Sequence, residues 1–277
     1  MREVLRMSKR VSKAFGILFL LLELAIVPKA IDLMLNQHIT ELTPLKIVVI
    51  SMTFGSIALC ILMSYSSMSE NDMYPHQTFL FDLMVFMCCM APMTDLFTRA
   101  LEEAGKPGLN MLVNTVFYLI GINIAYVLFK YEILFVGIED NPLLQKLKRI
   151  ALVLMIVDNL VTLLNVKFGY FFTITESGKY QSAPTFWLSY IAPMAIVAMT
   201  VIISKREMPA GRQQRAFLLF WIFAALSSVL QIWQETLAIQ YTGYVLSLIV
   251  IYMNIQSELD TPCVKPTESE SIVYEIE

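Results

Sequence analysis

Acidic and amide side chains recur at helical spacing inside the most apolar parts of this 277-residue chain. Asp158, Thr162 and Asn165 stand at i, i+4 and i+7 in one apolar segment, a spacing that places them on one face of a helix. A carboxylate in such a segment is costly unless it faces a partner or a wet cavity, so it marks a candidate site for a proton, a cation or a polar ligand. We therefore expect this face to point into the protein.

Three further apolar segments carry polar side chains in the same way. They hold Asn110, Asn114 and Tyr118 in one segment, Ser228, Gln231 and Glu235 in another, and Asp95 three residues after Pro92 in a third. Proline removes a backbone donor within a helix, so we expect a freed carbonyl near Asp95. These side chains either line one ligand pocket or form interhelical hydrogen bonds that fix the packing.

Aromatic residues are dense between two of the apolar segments. They are Tyr170, Phe171, Phe172, Tyr180, Trp187 and Tyr190. Tyrosine and tryptophan concentrate at membrane interfaces, which is one explanation of this density. Aromatic side chains also line most small-molecule sites, so the alternative is an aromatic lid over a pocket.

The elements that must position these residues are membrane helices. Hydrophobic residues make up 57% of the chain and charged residues 16%, and the charges cluster in short breaks. The apolar segments between these breaks are near the length of one membrane crossing: 14–35, 45–66, 77–97, 109–130, 149–168, 185–204, 216–235 and 238–256. Because lipid cannot hydrogen-bond to an exposed backbone, we predict an all-α, polytopic transmembrane helix bundle of seven core helices plus one N-terminal helix.

The first apolar segment is interrupted by polar residues. Glu23, Pro28, Lys29 and Asp32 leave a shorter apolar stretch, which also suits a signal-peptide core or an interfacial helix. Seven crossings remain if that segment does not span the membrane.

The distribution of lysine and arginine predicts an orientation. Most basic residues fall in residues 1–13, 130–149, 205–215 and 257–277, which lie on one side of the membrane, and this excess marks the cytoplasmic side. The chain thus divides into a basic cytoplasmic N-terminus (1–13), a transmembrane bundle (14–256) and a disordered acidic cytoplasmic tail (257–277). That tail is either merely solvated or a docking or phosphorylated segment. Most of the polar stripes then fall in the outer half of the bundle.

Several classes of function lack sequence support. There is no glycine-rich phosphate loop, nucleophile elbow or H-E-x-x-H motif, so we predict a non-enzyme without a cofactor. His38 and His76 have no other ligand at zinc spacing, so no metal site is expected. A net charge of -3 without a basic stripe argues against nucleic-acid binding.

Three stretches together resemble a known membrane module. They are Leu230 through Gln256, Asp95 followed by Gly105-Lys106-Pro107-Gly108, and Gly169 through Ile174 followed by Gly178-Lys179-Tyr180. The chain over roughly residues 45–260 resembles the seven-helix sensor (input) region of bacterial GGDEF-type diguanylate cyclases and some histidine kinases. The resemblance implies that Asp95, Phe172, Tyr180 and Gln231 match recurrent positions of that module.

The chain also departs from that module. An arginine-glycine pair usually follows the position of Tyr180, where this chain has Gln181 and Ser182, so an anion contact from that arginine is in doubt. No GGDEF sequence or kinase core follows Asp260 within these residues.

These observations predict a bacterial sensory or regulatory protein of the inner (plasma) membrane. Its partners would be the lipid bilayer, a small-molecule ligand in an outward-facing pocket, a cytoplasmic signalling protein and a second copy in a homodimer. Candidate ligand-binding residues are Asp95, Asn114, Tyr118, Asp158, Asn165, Phe172, Tyr180, Gln231 and Glu235. The alternatives are a small secondary transporter that uses Asp158 as its proton or cation site, and a degenerate, truncated sensor module.

Overall fold

The fold is an all-helical bundle with one small hairpin. The computed structural model describes residues 9–36, 44–69, 75–136, 141–208, 211–233 and 239–259. The α-helices of these residues are α1 (Lys9–Asn36), α2 (Pro44–Ser69), α3 (Pro75–Glu103), α4 (Pro107–Val136), α5 (Pro142–Phe168), α6 (Ile191–Glu207), α7 (Arg212–Trp233) and α8 (Ile239–Leu259). The predicted all-α bundle of eight helices is confirmed.

Local sequence sets several of the helix ends. Four helices begin at a proline, whose missing N–H is not needed in a first helical turn. Asn141 caps α5 by accepting a hydrogen bond from the Leu143 N–H at 2.9 Å. At the other end Gly169 adopts a left-handed φ of 66° and donates its N–H to the Asn165 carbonyl at 2.8 Å. The chain can therefore turn sharply at the end of α5.

Several of the described helices have the length and apolar surface of membrane spans. Five are long and apolar enough to cross a membrane: His76–Glu102, Pro107–Val136, Pro142–Phe168, Phe186–Glu207 and Gln214–Gln231. Large apolar side chains also face outward, and on α5 Val153, Leu160 and Leu163 are each more than half exposed. Such a surface fits contact with lipid, so the chain has the character of a multi-pass membrane protein.

Helix α4 joins the two halves of the core. One buried apolar cluster brings together α2, α3, α4, α7 and α8 with Val197 of α6, and includes Met84, Leu128 and Phe220. A second cluster joins α4, α5 and α6 around Phe129 and Ile196. Because α4 contributes to both clusters, a shift of this helix would disturb the packing of both.

Helix α1 packs against α3 and α2. Phe19 stacks on Phe86 with ring centroids 4.8 Å apart. Residues 9–36 thus form one helix of the bundle, longer than the predicted apolar segment.

Among the described residues, buried carboxylates link neighbouring helices at three places. Each accepts a hydrogen bond from a serine on another helix: Glu23 from Ser64 at 3.2 Å, Asp82 from Ser67 at 2.6 Å, and Glu132 from Ser204. The three pairs link α1 to α2, α2 to α3, and α4 to α6. Hydrogen bonding of this kind is what allows a carboxyl group to lie in an apolar bundle.

A short antiparallel hairpin separates α5 from α6. Strand β1 (Phe172–Ile174) pairs with strand β2 (Tyr180–Ser182), with Phe172 opposite Ser182. A five-residue 3-10 helix, Phe186–Tyr190, leads from the hairpin into α6. We predicted no strand here, because three-residue strands carry too little alternation to be recognised in sequence.

Candidate ligand pocket

The hairpin lies against the connection between α3 and α4. Gly178, at φ 86°, approaches so closely that a Cβ there would stand 3.3 Å from the Gly105 Cα and 3.4 Å from the Lys106 nitrogen. The Asn110 side chain donates its Nδ2–H to the Gly178 carbonyl at 2.7 Å. Glycine at this position therefore permits close contact between the hairpin turn and the start of α4.

Asn165 fastens the hairpin to the end of α5. Its Oδ1 accepts hydrogen bonds from the Phe171 N–H at 2.6 Å and the Phe172 N–H at 3.4 Å. Its Nδ2 donates to the Phe172 carbonyl at 3.1 Å. Since Asn165 and both phenylalanines are buried, these bonds satisfy backbone groups that water does not reach.

The aromatic side chains of the hairpin form a stack with α4. The Phe172 ring lies between Tyr118 and Tyr180, with centroid distances of 5.1 Å and 5.7 Å and interplanar angles of 12° and 22°. The hydroxyls of Tyr118 and Tyr180 lie 2.8 Å apart, within hydrogen-bond distance. This stack forms one wall of a cavity.

The cavity has a volume of about 650 Å³, within the range of small-molecule sites. Its walls come from α3, α4, β2, the 3-10 helix and α7. The lining residues are Asp95, Thr98, Arg99, Glu102, Asn114, Phe117, Tyr118, Tyr180, Gln181, Ser182, Phe186, Tyr190 and Gln231. The cavity therefore lies where five elements of the bundle meet.

Three charged side chains of α3 contribute to the lining. Arg99 donates its Nε–H to the Asp95 carboxylate at 3.0 Å. Glu102 accepts the Tyr180 backbone N–H at 3.3 Å, a bond that joins α3 to the hairpin. With two carboxylates and one guanidinium, the described lining residues carry a formal charge of -1.

The structure brings most of the sequence-predicted site residues together. Five of the predicted residues line the cavity: Asp95, Asn114, Tyr118, Tyr180 and Gln231. Phe172 and Asn165 lie behind the lining, where they position Tyr118, Tyr180 and the hairpin. Glu235 lies outside the described residues.

Asp158 does not line the cavity, although it shares a helix face with Asn165. It is 8% exposed, and no hydrogen bond or ion pair joins its side chain to another described residue. The buried hydroxyl of Thr162, one turn further along α5, also has no hydrogen-bond partner among the described residues. The predicted polar face of α5 therefore separates into an anchor for the hairpin and an isolated carboxyl group.

The aromatic residues between α5 and α6 divide into two groups. Phe171 and Phe172 are buried, while Tyr180 and Tyr190 line the cavity. Tyr170 and Trp187 are 45% and 50% exposed, as expected of side chains that meet a membrane interface. Each of the two sequence interpretations therefore describes some members of the group.

Sequence reasoning missed Arg99 and Glu102 as lining residues. Asp95, Arg99 and Glu102 stand at i, i+4 and i+7, the spacing that singled out α5. The predicted third segment ends at residue 97, before these two charged residues, whereas α3 continues to Glu103.

No family model, curated protein or solved structure matches the chain. The resemblance to bacterial sensor modules therefore stays a prediction.

Proposed function

We propose that the chain is a bacterial inner-membrane sensory or regulatory protein whose cavity binds a small ligand. The observation that carries the proposal is the 650 Å³ cavity, lined by polar and aromatic side chains from five elements. A few placed polar groups within aromatic walls are typical of small-molecule sites. The chain would act by binding and not by catalysis, and it would need neither a metal nor another cofactor.

Gln231 offers a route from the cavity to another helix. It lines the cavity near the end of α7, and its Oε1 accepts the backbone N–H of Gln240 at the start of α8 at 3.4 Å. Along their lengths α7 and α8 are closely packed. A ligand that bound one arrangement of this helix pair more tightly than another would shift the population toward that arrangement. The change would reach the ends of α7 and α8 that lie far from the cavity.

The charge pattern of the sequence supports an orientation for this mechanism. With the basic breaks in the cytoplasm, the cavity faces outward and both chain termini lie inside. The signal would then pass from the cytoplasmic ends of α6, α7 and α8 to a partner protein, in the setting of a homodimer within the lipid bilayer.

The first experiment measures thermal stability of the purified chain against a library of small metabolites. A ligand that binds only the folded state raises the melting temperature. We expect a shift in the parent and in Glu176→Gln, an exposed hairpin residue outside the cavity lining. The shift should be lost in Asp95→Asn and Gln231→Ala. A shift of equal size in all four proteins, or no shift with any compound, would contradict the proposal.

A small secondary transporter is the second candidate function. It is favoured by Asp158, a nearly buried carboxyl group for which no described residue provides a partner. Buried carboxylates in membrane helices often carry protons or cations. Replacing Asp158 with asparagine in proteoliposomes should abolish substrate uptake by a transporter, whereas ligand-induced stabilisation of a sensor should persist.

A further inference from the structure

We infer that the cavity selects small organic ammonium ions over anions of the same size. This inference rests on the proposed ligand-binding function and adds the chemical class of the ligand. Three features of the lining carry it: a chain of oriented amides, an excess of negative charge, and a set of aromatic rings.

A relay of hydrogen bonds fixes the orientation of the Asn114 amide. The Gly178 carbonyl can only accept, so the Asn110 group that faces it at 2.7 Å must be the amide nitrogen. The Asn110 oxygen is thereby turned toward Asn114, whose Nδ2 lies 2.8 Å from it and 2.9 Å from the Asn110 backbone carbonyl. Asn114 must therefore donate its Nδ2–H groups to the oxygens of Asn110.

The consequence lies in what Asn114 presents to a ligand. Asn114 lines the cavity, and both of its hydrogen bonds to described residues leave from Nδ2. Its Oδ1 therefore remains as an acceptor. A ligand with an N–H donor can satisfy this oxygen, whereas a carboxylate or phosphate oxygen would be repelled by it.

The charges of the lining favour a cation. Among the described residues that line the cavity, the positive charge is on Arg99, and the Asp95 carboxylate 3.0 Å away balances it. Glu102 adds a second carboxylate, which gives the lining its formal charge of -1. Gln181 and Ser182, on the neighbouring strand, contribute no charge. An incoming anion would meet a guanidinium that is already paired.

The aromatic residues supply a surface suited to an ammonium group. Five aromatic residues of the described part of the chain contribute to the lining: Phe117, Tyr118, Tyr180, Phe186 and Tyr190. Ring faces attract cations, and most strongly where water is excluded. The stack on Phe172 holds two of these rings, Tyr118 and Tyr180, at the cavity wall before any ligand arrives.

The test compares three probes of similar size and different charge: phenethylammonium, 2-phenylethanol and phenylacetate. Binding to the full chain in nanodiscs is measured by calorimetry, and empty nanodiscs provide the blank for partition into lipid. We expect phenethylammonium to bind at least about tenfold more tightly than phenylacetate, the difference that one cation–π or charge-assisted contact provides.

Two variants locate that preference in the cavity. Glu102→Gln should lower the preference for phenethylammonium over phenylacetate about fivefold, since it keeps the shape and removes the charge. Asn114→Leu should weaken phenethylammonium binding by a similar factor. Glu176→Gln removes one exposed carboxylate from the hairpin, outside the cavity lining, and should leave the preference unchanged.

The possible failures are distinguishable. Equal or tighter binding of phenylacetate in the parent would overturn the ammonium preference, yet a ligand pocket would stand if Asn114→Leu weakened that binding. Binding of phenethylammonium that none of the variants alters would place the probe outside the cavity and overturn the inference. If no probe binds, the inference also fails, whereas the proposed function fails only when the metabolite library gives no thermal shift either.

Discussion

The hydroxyl oxygens of Tyr118 and Tyr180 lie 2.8 Å apart and join α4 to the second strand of the hairpin. Both rings also stack on the buried Phe172 ring of the hairpin, so the three rings together form the wall between the hairpin and the cavity. The hairpin is thus held by its side chains as well as by its short strand pairing. The shape of the cavity depends on this attachment.

Removing the two hydroxyls should reveal their coupling. We expect Tyr118→Phe and Tyr180→Phe each to lower the free energy of unfolding by about 1 kcal/mol, the usual contribution of one hydrogen bond. The double variant should lose less than the sum, because each single change already breaks the shared bond. Chemical unfolding in detergent measures this, with Tyr170→Phe as a control, since Tyr170 is 45% exposed. Strict additivity would show that the hydroxyls do not interact.

Asn165 should be the most sensitive single anchor of the hairpin. Asn165→Ala leaves buried backbone groups of Phe171 and Phe172 without partners, and we expect a loss of about 3 kcal/mol. Hydrogen exchange at the Phe171 and Phe172 amides should accelerate at the same time. The neighbouring Val166→Ala, at a side chain 51% exposed, should change neither quantity. Unchanged exchange in Asn165→Ala would refute the anchoring role.

The close approach of α7 and α8 depends on glycine at position 243. A Cβ there would meet the Ser227 Oγ at 2.2 Å and the Phe223 carbonyl at 3.1 Å. Gly243→Ala should therefore destabilise the protein by about 2 kcal/mol through overpacking. Gly55→Ala is the matched control, because nothing lies within 4 Å of its added Cβ. It should be neutral or stabilising, as alanine favours helix. Equal effects of both substitutions would contradict this packing.

Two buried threonines allow a matched test of hydrogen-bond satisfaction. The Thr162 hydroxyl has no partner among the described residues, whereas the Thr200 hydroxyl donates to the Val197 carbonyl at 2.6 Å. Thr162→Val should stabilise the protein by about 1 kcal/mol, because it removes an unsatisfied polar group. Thr200→Val should be neutral or destabilising. If Thr162→Val lowered the free energy of unfolding more than Thr200→Val, the Thr162 hydroxyl would have a hydrogen-bond partner, such as Asp158.

Sequence patterns predicted the helices because their physical causes are local. A bilayer-length apolar run predicted both α4 and α5, and the predicted segment 149–168 ends at the last residue of α5. Helical spacing also identified Asn114 and Asn165, which are buried, and Tyr118, which lines the cavity, as inward-facing residues.

The hairpin and the full lining could not be predicted in the same way. The contact of Gly178 with Gly105 joins two distant breaks, and only the packed bundle brings them together. Hydropathy also ended the predicted third segment too early, so Glu102 was assigned to a break. Conversely, Asp158 and Asn165 share a face, but only Asn165, at the end of α5, bonds to the hairpin that forms part of the cavity wall. Helical periodicity therefore predicts which face of a helix points inward, but not at which position along the helix a site lies.

The most direct test of the account asks whether a ligand in the cavity moves the opposite end of the bundle. Spin labels at Lys205→Cys on α6 and Met253→Cys on α8, two exposed positions, report their separation by pulsed electron resonance. The measurement uses the ligand that gives the largest thermal shift, in the parent and in Gln231→Ala. We predict a shifted distance distribution in the parent and none in Gln231→Ala. An unchanged distribution in a parent protein saturated with ligand would contradict a sensory role.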